Sequence, residues 1–287
     1  MKKLFLLLLI IVSSSLIQSQ GKYLLIRCDD FGMSHSVNMA LVKLIETRIP
    51  FSASVMFACP WYQETAEILK RHPEISVGVH LTLNSEWKNY RWGPVSGREA
   101  VPSLVDSNGY FFPSRDLFNA NDPDLDEIEK ELRAQVQRAF DSGISIDYLD
   151  YHMGTAVDKP EYRAIVEELA KDFNLGISRY FGEYYMNNMY NKPYEHKADS
   201  LYKVIMEMQD GINLLVCHIG IDNNELSALI DMNSFGLKEM SKHRQAELNA
   251  LTSERFRGLL EEENIKLVTY RDLILEKSLD NMQRPEE

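Results

Sequence analysis

Six side chains able to bind a cation or move a proton follow short apolar runs in this chain. Asp29 and Asp30 end "LLIRCDD", His80 lies in "VGVHLTL", Asp150 and His152 in "DYLDYHMG", and His218 in "LLVCHIG". Two adjacent carboxylates repel each other, and a strand end is a costly place for them unless something there uses the charge. Two imidazoles and one carboxylate form an open site for a divalent cation, with positions left for water and substrate. Such an ion would relieve the repulsion between Asp29 and Asp30, one acid binding it while the other stays free as a base. Each residue alone has a plainer use. His80 suits a hydrogen-bonded core histidine, Asp30 a helix cap, and His152 and His218 polar turns. Together they ask for one scaffold that delivers four strand ends to the same rim.

The chain supplies that scaffold by alternating β-like and helical patterns. Strands are expected at 22–28, 52–57, 76–82, 145–150, 175–178, 212–217 and 265–269. Helices are expected at 35–47, 61–71, 124–142, 159–173, 197–209, 238–250, 253–263 and 270–279. Asp158 reads as the N-cap of the helix that Pro160 enters, and Thr252 or Ser253 as the cap of the late one. The repetition predicts an α/β fold: a single distorted (β/α) barrel of about seven parallel strands, whose active rim lies at the carboxyl ends of the strands. Two aromatic stretches, 84–122 and 180–196, interrupt the rhythm and read as long functional loops.

Residues 1–20, "MKKLFLLLLIIVSSSLIQSQ", have the layout of a secretory signal peptide cut near Ser19 to Gly21, so the mature chain is expected to be exported, periplasmic or extracellular. No later stretch is apolar enough to span a bilayer. Losing Lys2 and Lys3 takes the formal charge from −12 to −14, which argues against nucleic acid or anionic membranes as partners. Cys28, Cys59 and Cys217 are odd in number, widely spaced and read as core residues. His72, His196 and His243 fall in or beside helices and are expected to face solvent. His35 is left unassigned.

The blocks "CDDFGMSHSVN", "VGVHLTL", "YLDYHMG" and "VCHIG", in this order over about 21–270, resemble those of the YdjC-like carbohydrate deacetylases, and "HRQAELNAL" (243–251) resembles that family's late Arg-and-Glu helix. The resemblance implies a deacetylase-like barrel over residues 21–287 that removes N-acetyl groups from an amino-sugar-containing oligosaccharide. It places a divalent metal ion, Mg2+ or Zn2+, on Asp30, His80 and His152, with Asp150 supporting the ligands from behind. Asp29 becomes the general base and His218 the general acid. The chain departs from the family in two places: His152 is followed by Met153 and Gly154 where a run of histidines is common, and Ile219 stands where proline is usual. Trp87, Tyr90 and Trp92 either stack on sugar rings or pack their loop onto the barrel, with Arg91 near for hydroxyls. The expected partner is an N-acetylated oligosaccharide, and a homodimer is an allowed assembly. Another metal-dependent hydrolase such as a phosphoesterase, a non-haem iron oxygenase or a non-catalytic glycan-binding protein are the competing readings.

Overall fold

The computed structural model describes residues 21–186 and 189–285; the leader expected over 1–20 lies outside them. Among the described residues, eight strands form one sheet: β1 (Lys22–Phe31), β2 (Ser52–Val55), β3 (Ser76–Leu81), β4 (Tyr148–Tyr151), β5 (Gly176–Ile177), β6 (Tyr184–Tyr185), β7 (Gly211–Cys217) and β8 (Lys266–Val268). Every pairing is parallel. The order is β5-β4-β3-β2-β1-β7-β6, and β8 joins β1 beside that path. Strand β1 accommodates both by dividing one edge, with Tyr23–Leu25 paired to β8 and Arg27–Phe31 to β2. β5 and β6 do not pair among the described residues, so the sheet is a curled half-barrel, a distorted barrel left open on one side.

The helices are α1 (His35–Glu46), α2 (Tyr62–Lys70), α3 (Arg115–Ala120), α4 (Leu125–Asp141), α5 (Pro160–Phe173), α6 (Lys197–Met206), α7 (Asn224–Ser227), α8 (Met240–Leu251), α9 (Glu254–Glu262) and α10 (Tyr270–Lys277). Three elements differ from the sequence expectation. α3 lies inside the long 84–122 segment, β6 lies inside 180–196, and α7 follows β7; all are too short to give a periodic signal. Asp158 does not cap α5: Lys159 holds that position, and Asp158 instead accepts from Arg115 and Asn119. Ser253 caps α9 by accepting from the Phe256 amide.

The strand period of two decides what fills the barrel. Leu25, Tyr148, Leu214, Val216, Phe181, Tyr270 and Leu273 form one buried cluster. It unites β1, β4 and β7, strands that are not all neighbours in the sheet, so their side chains can meet only on a concave face. Toward the carboxyl ends the interior turns polar. The Tyr148 hydroxyl meets Ser54 Oγ at 2.7 Å and the Tyr270 hydroxyl meets Ser178 Oγ at 2.5 Å. Two residues beyond Leu25 stands Arg27, and two beyond that Asp29. A larger apolar cluster, holding Leu24, Ile26 and Cys28 from the alternate positions, packs between the sheet and its helices.

Candidate metal and catalytic site

Strand β1 would send Asp29 and Asp30 to opposite faces if it stayed regular. It does not: its register with β2 shifts between Cys28 and Phe31, and Asp30 has φ +70°. A bulge of this kind re-aims a side chain, and here both carboxylates line one cleft of about 330 Å³. Aspartate is among the few residues that tolerate a positive φ. The turn that follows is pinned by Asn38, whose Oδ1 accepts from the Gly32 amide at 2.9 Å and from Thr65 Oγ1 at 2.8 Å. Gly32 has φ +87° and lies against the Tyr62 backbone, so a side chain there would meet both strain and contact.

Asp30, His80 and His152 converge. Asp30 Oδ1 lies 3.4 Å from His80 Nε2 and 3.3 Å from His152 Nδ1. This oxygen is buried and has no hydrogen-bond partner, a costly state for a carboxylate. The edge of a tetrahedron around an ion bound at about 2.0–2.1 Å is roughly 3.4 Å, so the spacing fits a shared cation. The other nitrogen of each imidazole faces a carboxylate: His80 Nδ1 meets Asp150 Oδ2 at 2.9 Å, and His152 Nε2 meets Glu86 Oε2 at 3.1 Å. That arrangement fixes ring orientation and raises ligand basicity at metal centres. Asp30 Oδ2 is held by Arg244 Nη2 from α8 at 2.5 Å. The residues present therefore fit a divalent ion, by an orphaned buried oxygen and by two imidazoles each backed by an acid.

The charges are strongly interdependent. Burial would raise the Asp30 carboxyl, but Arg244 and the two histidines outweigh it and hold it well below the usual range. Burial would lower His80, yet Asp150 and Asp29 push it up to about 10. Burial opposes His152 too, and Glu86 and Asp30 bring it to about 9. Without a cation, these two rings keep their protons at neutral pH.

Asp29 sits in the neighbouring position of the same cleft. Its two oxygens accept from Arg27 Nε and Nη2, each at 2.7 Å, while Arg27 Nη1 donates to Ser178 Oγ at 2.7 Å and Nε lies 3.1 Å from Asp150 Oδ2. Burial raises the Asp29 carboxyl, but Arg27 and then His80 overcome that and leave it below its ordinary value. His218 follows β7 and lines the cleft as well. Its backbone amide donates to Glu247 Oε2 at 2.7 Å, and its ring meets Tyr190 edge-on at 5.4 Å. Burial lowers its proton affinity, against the opposing pull of Asp30 and Asp29.

The aromatic loop behaves differently from the stacking expectation. Trp92 is buried, donates Nε1–H to the Asn84 carbonyl at 2.7 Å and packs against His152 and Tyr90. Arg91 does not line the cleft: it holds its own loop through Asp106 and the Phe111 carbonyl and lies over the Tyr110 ring. Tyr90 donates its hydroxyl to the Met33 carbonyl. Trp87 does border the cleft but is 1% exposed, leaving no open face for a pyranose. These side chains therefore pack the loop onto the barrel, because Trp87 and Trp92 are buried and Tyr90 and Trp92 spend their polar ends on the Met33 and Asn84 carbonyls. Phe235, 65% exposed, is an accessible aromatic ring on the cleft wall. His243 also departs from expectation, since its face of α8 is buried, and the three cysteines are free and buried.

Sequence reasoning missed Arg27, Glu86, Tyr190 and Lys197. Arg27 was visible as a charge inside an apolar strand two residues before Asp29. Lys197 and Glu247 form a buried pair at 2.7 Å, whose partners lie 50 positions apart and give no local signal.

A profile of the YdjC-like protein family matches residues 23–262. A carbohydrate deacetylase of Thermoanaerobacter pseudethanolicus is 26% identical over 263 residues, covering 87% of this chain and 98% of its own length. A carbohydrate deacetylase of Geobacillus stearothermophilus is 28% identical over 270 residues, covering 88% and 98%. A crystal structure from Enterococcus faecalis V583, of a protein suggested to cleave cellobiose-phosphate, superposes with a TM-score of 0.72 at 24% identity, covering 88% of this chain and 99% of that one, and shares the fold.

Proposed function

This chain belongs to the YdjC-like protein family, and on that footing we propose that it is a metal-dependent carbohydrate deacetylase that hydrolyses the N-acetyl group of an amino-sugar-containing saccharide. The observation that carries the proposal is the convergence of Asp30 Oδ1, His80 Nε2 and His152 Nδ1 beside Asp29, whose own two oxygens are engaged by Arg27. Asp30, His80 and His152 would hold the ion. Two nitrogen donors favour zinc or a similar ion over magnesium, which prefers oxygen. Bound there, the ion would supply Lewis acidity toward the acetyl carbonyl and the attacking water.

The remaining work falls to this chain's own groups. Asp29, kept ionised by Arg27, accepts the proton of the water that attacks the carbonyl carbon. Arg27 also fixes the direction of that carboxylate, since a two-point grip leaves it no rotation. His218, half-buried on the cleft wall, gives a proton to the amine nitrogen as the C–N bond breaks, and Asp30 and Asp29 beside it favour the charged form that carries that proton. The cleft sets Asp29, Asp30, Glu86, Asp116 and Asp231 against Arg115 and Arg244, an acidic balance that suits a neutral or cationic glycan better than a phosphate ester and sets the deacetylase reading above the phosphoesterase one.

A screen of N-acetylated oligosaccharides for acetate release, run with zinc-loaded and chelated protein, tests the proposal. Acetate from at least one sugar, lost on chelation, supports it, and none from any sugar overturns it. We further infer that residues 1–20 direct export. N-terminal sequencing of the secreted protein tests this, with a start near residue 21 expected.

A further inference from the structure

We propose that Lys197 is a positioning residue for the proton-donating side of the site, acting through Glu247 and the Tyr190 backbone on His218; the inference rests on the deacetylase reading above. Lys197 is 1% exposed. A buried ammonium is expensive, and it persists where every proton has an acceptor. All three do here: Nζ donates to Glu247 Oε1 at 2.7 Å, to the Met189 carbonyl at 2.6 Å and to the Tyr190 carbonyl at 3.0 Å. The other Glu247 oxygen accepts the His218 amide at 2.7 Å.

One ammonium thus ties together the two segments that bracket the His218 ring. The Glu247 bond fixes the backbone from which the ring projects. The bonds to Met189 and Tyr190 fix the turn that sets the Tyr190 ring edge-on against it at 5.4 Å. Neither Lys197 nor Glu247 lines the cleft, so their effect on the reaction passes through His218. An ordinary buried ion pair that only stabilised the fold would not need both acceptor sets on segments meeting at one catalytic ring. Proton delivery is sensitive to placement, because the donor must lie within hydrogen-bond reach of the departing nitrogen.

The test separates proton delivery from general integrity by leaving group. An N-acetyl amide needs a proton on nitrogen as the C–N bond breaks; 4-nitrophenyl acetate expels a phenolate that needs none. Lys197→Met alone leaves the Glu247 charge buried and unpaired, so the double variant Lys197→Met/Glu247→Gln is measured beside it. The double substitution removes both charges, while the carboxamide oxygen it introduces can still accept the His218 amide. With zinc-loaded proteins of native circular dichroism, kcat on the N-acetyl sugar is expected to fall tenfold or more with KM within about threefold. Ester turnover should fall less than threefold, so that the amide-to-ester ratio drops. Parallel losses on both substrates, or no loss on either, overturn the inference and leave the deacetylase reading standing. A wild-type protein that releases no acetate from any N-acetylated sugar overturns both.

Discussion

Arg27 holds Asp29 by a two-point contact, Nε to Oδ1 and Nη2 to Oδ2, both at 2.7 Å, inside the barrel. The alternation of β1 puts the two residues on the same face, one layer apart, so the cation that tunes the proposed base comes from the same strand. Removing it exposes the consequence. Arg27→Met leaves a buried carboxylate without its principal partner and should cost about 3–5 kcal/mol of stability. Arg27→Lys keeps the charge but not the fork, and should lose less stability while cutting acetate release tenfold or more. Urea denaturation and acetate assays on both variants check this. The sign in pH follows from Asp29's lowered proton affinity: its contribution is present above the unfolded carboxylate range and is lost as pH falls through the lower folded value.

The metal-free protein should respond to alkali in the opposite sense. His80 and His152 are raised from 6.5 to about 10 and about 9. A raised value stabilises the fold fully below the unfolded pKa and loses that stabilisation as pH rises through the folded value. Melting temperature after chelation should therefore fall between pH 9 and 10, and metal binding should expel protons, with affinity rising over the same span. Thermal scans and calorimetry in buffers of different ionisation heat measure both effects. A melting profile that stays flat through both folded values would contradict them.

Glu86→Gln should weaken metal binding about 10–100-fold, because the new side chain no longer offers His152 Nε2 a charged acceptor. Competition with a chelator of known affinity reads the change. The metal-free variant should also lose part of its stability at neutral pH, since Glu86 is foremost among the groups that raise His152.

Gly78→Ala tests the barrel rather than the chemistry. A β-carbon there would stand 2.4 Å from the Tyr148 ring, whose hydroxyl bonds Ser54, so the ring cannot withdraw freely. A loss of about 1–3 kcal/mol is expected, measured by denaturation; wild-type stability would show that the interior is looser than described.

How much of this was legible in the sequence depended on range. Strands with regular patterning, such as β1, β3 and β7, announce themselves, and a parallel α/β fold then puts their carboxyl ends at one rim. Asp29, Asp30, His80, His152 and His218 could be gathered on that ground alone. The bulge that turns Asp30 beside Asp29 has no signature beyond the DDFG turn. Glu86 lies in an irregular loop and reaches His152 across 66 positions, and Lys197 reaches Glu247 across 50, distances over which no local pattern carries information. The tryptophans stayed open between two uses for a different reason: an aromatic ring serves a sugar or a core equally well, and only burial and the hydrogen bond from Trp92 to the Asn84 carbonyl favour packing.

Deacetylation by this site requires a cation held by Asp30, His80 and His152 while Asp29 takes a proton. Acetate release by metal-loaded Asp29→Asn, with its metal content determined on the same sample, tests this most directly. One divalent ion per chain with acetate release reduced at least a hundredfold is the predicted result. Turnover at the wild-type rate, or loss of the ion together with the carboxylate, would contradict it.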